Sequence, residues 1–568
     1  MVVLAPSRWM RSLVAMLVVT SLAGTSSWAD ETGNSTRFAD RLKKIKASAP
    51  TGGNAAGTIK PPSNPHYNKI LRSVALILCE AEDGSTCNGT GWVLDAKQRL
   101  LVTNHHVIEG VSECKVFFPE FVDGQLVTDP ARSIVPGRAV AGRVVDSDPT
   151  CDLAIVQIEK LSPDNPELEL AEASATPGQN IHSIAGSAVG SQSLWIYSTG
   201  HVRQIVRGIL ASGYEADVLE SDMATNQGNS GGPVVDDEGR VVAVVEGART
   251  DARLVSLKVE LQSLAAYLAL GLRCVDPQSP EDLKFAAERH LNAERLEVAL
   301  RLVTTALKQD KRNADLFALR GKCWISQGDI DSARGDFEEA LEIDDNCAEA
   351  HCGQGLIAFL DGEFEEAVAQ YSHALRNDSD NVDYLLCRGE ANGCLGEADK
   401  ARRDFQAVLK KVPNSPPALK GLAIVDVESG DYEAGLNGLS AVVDFLPEDP
   451  DVYYYSGYAL NSVSNFSDAE TILRHVLELD AEYPYGHQQL GNSLVGQGKF
   501  DEAVEVLTVA VEADEEDAES YLLLGTAVLK LGDRQKGTAL IRKAMGLTDD
   551  EDLKATAREV LSDARNQR

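Results

Sequence analysis

The stretch Gln227-Gly228-Asn229-Ser230-Gly231-Gly232-Pro233 decides how the first half of this chain is read. Glycines on both sides of Ser230 permit a tight turn that exposes a hydroxyl. They also let the backbone N–H groups of Gly228 and Ser230 converge on a developing oxyanion, an effect worth about 3 kcal/mol per donor. Two further strings stand upstream, Leu101-Val102-Thr103-Asn104-His105-His106-Val107 and Cys151-Asp152-Leu153-Ala154-Ile155. In the order His, Asp, Ser they supply a base, a carboxylate and a nucleophile. A serine hydroxyl attacks poorly unless a neutral imidazole takes its proton, and the imidazole needs a carboxylate on its other nitrogen. Either His105 or His106 can fill the middle role on residue type alone.

Around these strings the chain is written in short runs of Val, Ile and Leu separated by Gly, Asp, Asn and Pro. The runs are Ser73 to Leu78, Gly91 to Leu94, Leu100 to Thr103, Lys115 to Phe118, Ala139 to Val145, Leu153 to Ile158, Asn180 to Ile184, Val234 to Val235 and Val241 to Val245. Many short strands with turn signals predict an all-β barrel or sandwich, and about 200 residues accommodate two small barrels. Val259 to Leu270 reads as the one sizeable helix of this region.

With those motifs in place, residues 68–272 resemble a chymotrypsin-fold serine protease, and within that fold the HtrA (DegP-like) branch, which carries Thr-Asn-x-His-Val, Asp-Leu-Ala and Gly-Asn-Ser-Gly-Gly-Pro. The resemblance implies a double β-barrel, with His106 as general base, Asp152 as its orienting carboxylate and Ser230 as nucleophile; His105 falls at the variable place of the pattern. Gly89-Thr90-Gly91-Trp92-Val93 and Ser198-Thr199-Gly200-His201-Val202 resemble further strands of the family. The fold also implies an S1 pocket based at Ala224, six residues before the nucleophile, with Val242, Ala243, Val244 and Val245 along one wall. Such a pocket would favour aliphatic side chains and give a charged one no partner. HtrA-type proteases continue into a PDZ domain, where a different pattern stands here, and build trimers from an N-terminal segment that the polar stretch before residue 68 does not obviously reproduce, so the resemblance implies neither PDZ regulation nor an oligomeric state.

After Pro280 the period becomes 34 residues. Position eight of each unit holds Ala287, Gly321, Gly355, Gly389, Ala423, Gly457, Gly491 and Gly525, and position twenty holds Ala299, Ala333, Ala367, Ala401, Gly435, Ala469, Ala503 and Gly537. Small residues at both places let antiparallel helices approach, while Phe337, Tyr371, Phe405 and Leu507 at position twenty-four fill space between neighbours. Residues 280–551 are therefore similar to eight tetratricopeptide (TPR) repeats, an all-α solenoid, with residues 552–568 as a capping helix. The resemblance implies a groove that binds a protein partner.

The ends and the composition set the context. Arg8 and Arg11 precede an apolar run from Leu13 to Ala23, and Ser27-Trp28-Ala29 offers a signal-peptidase site, so residues 1–29 predict a signal peptide and an exported, periplasmic or secreted chain. Residues 30–67 read as a polar linker, with Phe38, Leu42 and Ile45 at helical spacing. No later stretch is expected to span a membrane. The ten cysteines match no zinc spacing and no cofactor or metal motif is found, while Cys79 and Cys87 flank a turn signal and could face each other as a disulfide or as free thiols. Of the net charge of −34, about −28 falls after Val275. So acidic a surface repels nucleic acid and suits basic or polar peptides. Two functions follow: a secreted serine endopeptidase acting on protein or peptide substrates with a protein-binding array, or a scaffold whose protease-like domain rarely cleaves.

Overall fold

The computed structural model describes residues 58–80, 86–186, 194–209, 215–225, 228–248, 256–483 and 485–566. The signal segment, its cleavage site and the Phe38-Leu42-Ile45 pattern lie outside them. The chain divides near Asp345 into two compact units.

The first unit begins with β1 (Thr58–Ile59), which pairs with β7 (Gln125–Val127) beside β6 (Phe121–Val122). A helix over Pro65–Ser73 follows, its free N–H groups met by the Asn64 side chain and its first turn preset by Pro65. The last ten residues of the stretch read as linker are thus structured. Six strands then close a barrel: β2 (Val74–Glu80), β3 (Thr86–Asp95), β4 (Leu100–Thr103), β5 (Glu113–Phe117), β8 (Val140–Asp148) and β9 (Leu153–Ile158). A second barrel is closed by β10 (Asn180–Ala185), β11 (Ile196–Ile209), β12 (Glu215–Ser221), β13 (Pro233–Val235), β14 (Val241–Ala248) and β15 (Ser256–Glu260). Each barrel joins its strands in the same spatial order: first, second, third, sixth, fifth, fourth.

The near-continuous apolar run of β2 has a physical reason. Ala75, Ile77 and Cys79 point into the first barrel, whereas Leu76 and Leu78 join a second core with Trp92, Ile184, Val244 and Tyr267. Both faces of the strand are buried, so alternation disappears. The run read as a helix from Val259 splits: Ser256–Glu260 is β15, and the helix occupies Leu261–Gly271, capped by the Glu260 carboxylate on Gln262 N at 2.6 Å.

Two helical hairpins complete this unit, Pro280–Asn292 with Leu296–Gln309 and Ala314–Gln327 with Ile330–Ile343. The second unit repeats the motif from Ala348–Leu360 with Phe364–Asn377 to Ala518–Lys530 with Arg534–Leu547, and a last helix covers Glu551–Asn566. Ser279, Asn313, Asn381, Asp449 and Asp517 cap first helices at multiples of the same spacing. A Cβ at Gly321 would lie 2.6 Å from Phe337, at Gly355 2.7 Å from Tyr371, and at Gly389 2.8 Å from Phe405. The large side chain at position twenty-four therefore nests on the glycine of its own repeat.

Candidate active site

At the end of β4 the chain turns through Asn104, His105 and His106. Asn104 Nδ2 donates to the Asp152 carbonyl at 2.7 Å, and Asp152 sits at φ 52°, a left-handed conformation that Asp tolerates better than most residues. So held, its carboxylate accepts from His106 N at 3.0 Å and from His106 Nδ1 at 2.8 Å. Asp152 is 1% exposed and the His106 side chain 38%. Burial opposes a charge on His106, but the charge and hydrogen bond of Asp152, with Glu246 and Glu109 beyond, prevail and raise it to about 9. Water at the open edge of the ring screens part of this attraction. His105 behaves oppositely. It is buried, its Nδ1 meets Ser147 Oγ at 3.1 Å, and burial brings it down to about 4, so it stays neutral.

The serine loop is clamped from both barrels. Thr90 N donates to the Ser230 carbonyl at 2.8 Å and Thr90 Oγ1 to the Gly228 carbonyl at 2.7 Å, while Gly231 N donates to Val245 O at 2.8 Å. Gly228 and Gly231 take φ values of 88° and 82°, and a Cβ at Gly231 would fall 2.2 Å from Thr90 O and 2.3 Å from Thr103 Oγ1. Only glycine fits there. The N–H groups of Gly228 and Ser230 have no backbone acceptor among the described residues. The Ser230 hydroxyl donates to the Glu246 carbonyl at 2.9 Å.

Residues 89–244, which span all three motifs, match the family model described as a trypsin-like peptidase domain, and 286–346, 325–382 and 489–549 match the tetratricopeptide repeat. The chain joins a trypsin-like peptidase domain to a tetratricopeptide array. Among curated relatives, the periplasmic serine endoprotease DegP of Salmonella typhimurium is 28% identical over 28% of this chain and 29% of its own length. The CTR9 homolog of Arabidopsis thaliana is 25% identical over 52% of this chain and 27% of its own. The chain thus spans less than a third of either relative. Among solved structures, the active form of the Rv3671c protease of M. tuberculosis is 24% identical, with a TM-score of 0.30, covering 39% of this chain and 92% of that one. The peptidase domain is HtrA-like, and repeats stand where that branch carries its PDZ domain.

Within the peptidase domain the structure brings His106 and Asp152 into direct contact and sets Ser230 on the loop between Thr90 and Glu246. It places Ala224 at the surface, whereas Val244 is buried in the core shared with Leu76 and Trp92, and Val242, Ala243 and Val245 in a separate core of the second barrel with Ile181 and Leu219, so their visible role is packing. A residue not singled out by sequence is Lys258 on β15, fully buried, with Nζ 2.7 Å from Ser221 Oγ and 2.5 Å from Ser256 Oγ. Burial lowers it to about 7 against the pull of Asp222 and Glu246. Its one sequence signal is a lysine at the centre of the apolar segment Leu257-Lys258-Val259. Cys79 and Cys87 are cross-strand neighbours; Cys79 is a free thiol whose side-chain hydrogen bond is with Cys114 on β5. No group of three metal-ligating side chains and no helix long and apolar enough to cross a membrane occurs among the described residues.

Proposed function

We propose that the chain is an exported serine endopeptidase, periplasmic or secreted, whose repeats hold a substrate or partner protein near the peptidase domain. The observation that carries this reading is the His106–Asp152 pair beside a glycine-built serine loop. In the proposed cycle, Ser230 Oγ leaves the Glu246 carbonyl by rotation about χ1, at a cost of about one hydrogen bond, roughly 1 kcal/mol. It attacks the scissile carbonyl as its proton passes to His106 Nε2. Asp152 keeps the His106 proton on Nδ1 and stabilises the imidazolium. The oxyanion is received by the N–H groups of Gly228 and Ser230, both free of backbone acceptors among the described residues. His106 then protonates the leaving amine, and water repeats the sequence to release the acyl group.

A fluorophosphonate probe tests the assignment. It should label Ser230 in the wild-type chain and fail on Ser230→Ala, which should also lose about 10⁶-fold in turnover with its fold intact. The bond from Ser230 to Glu246 favours a second reading, a weakly catalytic scaffold. An unlabelled, folded wild-type chain that cleaves no peptide would establish that reading in place of the first.

A further inference from the structure

The β8–β9 hairpin that presents Asp152 is gripped from outside the barrels. Asp146 lies at a bulge in this hairpin and is fully buried, six residues before Asp152. Arg289, on the first helix of the first repeat, forks onto it: Nε reaches Asp146 Oδ1 at 2.5 Å and Nη2 reaches Oδ2 at 2.9 Å, with Asp148 Oδ2 at 3.3 Å. Tyr267 donates to the Asp146 carbonyl at 3.2 Å. A bidentate arginine fixes both position and orientation of the carboxylate it holds.

A second arginine reaches the histidine side. Arg295, in the turn between the two helices, is 4% exposed and donates from Nη1 to Ser147 Oγ at 2.6 Å and from Nε to His290 Nδ1 at 2.8 Å. Arginine has no acceptor, so Ser147 receives one hydrogen bond from it, and the same oxygen meets His105 Nδ1 at 3.1 Å. Arg295 thus reaches, through Ser147, the His105 ring that stands one peptide bond from His106. Neither partner of Arg295 is a carboxylate, and its Nη2 finds no hydrogen-bond partner among the described residues. A buried guanidinium so placed is costly to keep for stability alone.

We propose that the first tetratricopeptide hairpin is a brace of the catalytic centre, in which Arg295 through Ser147 and His105, and Arg289 through Asp146 and Asp148, are positioning residues for His106 and Asp152. The inference rests on the serine-peptidase reading. It makes the first repeat part of the catalytic machinery, so that a change in this hairpin is felt at the dyad.

Ser147→Ala and Arg295→Lys test it in the full chain without altering any charge. The charged groups facing His106 are Asp152 from the β8–β9 turn, Glu246 from β14 and Glu109 beyond β4, none of which is replaced; the adjacent His105 loses only its Ser147 contact. A fall in the His106 titration in Ser147→Ala, together with a loss of kcat, then reports displacement. Two readouts are taken on each variant: kcat and KM with a short peptide, and the His106 imidazole titration by NMR. Displacement of the order of 1 Å costs about a hundredfold in such reactions. Ser147→Ala should therefore lose about tenfold or more in kcat with KM little changed, and its His106 titration should move down toward the ordinary value of about 6.5 as the Asp152 contact loosens. Arg295→Lys should retain more activity than Arg295→Gln, and Ser147→Ala combined with Arg295→Gln should be no worse than the poorer single variant. A folded Ser147→Ala chain with wild-type kcat and an unmoved His106 titration overturns the brace. A wild-type chain that neither turns over nor takes the probe overturns the peptidase reading, while the NMR titration still decides whether the hairpin positions His106.

Discussion

Replacing Asp152 by asparagine preserves the shape of the side chain and removes its charge. The amide oxygen can still accept from His106 N, now at 3.0 Å, but the amide NH2 then faces Nδ1, now 2.8 Å from Oδ2. Nδ1 must become an acceptor, so the ring proton moves to Nε2, the atom required to take the serine proton. In chymotrypsin-type triads this wrong tautomer lowers kcat by about 10⁴, which is about 5.4 kcal/mol at 1.36 kcal/mol per decade. A second effect is independent of the first. His106 stands at about 9 because Asp152 overcomes its burial; without that charge it should drop by about two pH units or more, to or below about 6.5. The assay is kcat/KM for a short chromogenic peptide between about pH 5 and 10, since this ratio reports the free enzyme. The wild-type limb should rise with pH to a midpoint well above the ordinary histidine value. The Asp152→Asn variant should be about 10⁴-fold slower, with its limb displaced downward. Stability carries the same signature. A raised folded-state pKa gives stabilisation that is complete below about 6.5 and is lost as pH rises through about 9, and the variant should lack it. A rate loss below tenfold, or an unmoved limb, would refute the reasoning.

Gly231→Ala places a methyl 2.2 Å from the Thr90 carbonyl at φ 82°, so activity should fall at least a hundredfold and stability by about 1–3 kcal/mol; a variant with wild-type turnover and melting would show that the loop yields. Lys258 is lowered to about 7 in the fold, so stability should be gained as pH rises from about 7 toward the unfolded value near 10.4. Subtracting the melting curve of Lys258→Met isolates that gain, and a pH-independent difference over this range would contradict it. About −28 of charge follows Val275, so capture of a basic unfolded protein should slow as salt approaches about 0.15 M, where screening acts over about 8 Å, while cleavage of a short neutral peptide holds steady. Parallel slowing of both substrates would exclude electrostatic recruitment.

Both barrels and the repeats are legible because their signals are local: apolar runs between turn residues, and small residues every 34 positions. The β11–β12 hairpin is harder. β11 includes Thr199, His201, Arg203 and Gln204, polar residues on strand positions open to solvent, and no apolar run announces it. Asn64-Pro65 is a cap followed by a first-turn proline, yet the surrounding Pro and Asn residues give the same composition as a linker. His105 and His106 are alike by type; the structure separates them by turning one to Ser147 and the other to Asp152. The contact of Arg289 with Asp146 joins residues 143 apart, and no spacing rule links two charges in different folds. Cys79 has neighbours on both sides, Cys87 on β3 and Cys114 on β5, and only the three-dimensional register reveals the second.

The nesting of each ring on its own repeat's glycine has a consequence for how such an array can change length. Phe337 on Gly321, Tyr371 on Gly355 and Phe405 on Gly389 close each hairpin from within. These three fits are each met inside one 34-residue cassette, while the junctions add their own: a Cβ at Gly421 would lie 2.5 Å from Phe405 of the preceding repeat, and one at Gly496 2.6 Å from Phe466. A copying error that adds or removes a whole cassette keeps every ring with its glycine, whereas one that adds or removes a few residues separates them. Array length can thereby drift in steps of 34 while the register inside each step is held by close packing, and the number of repeats becomes a variable that selection can adjust by re-fitting only the junctions, such as Phe405 on Gly421.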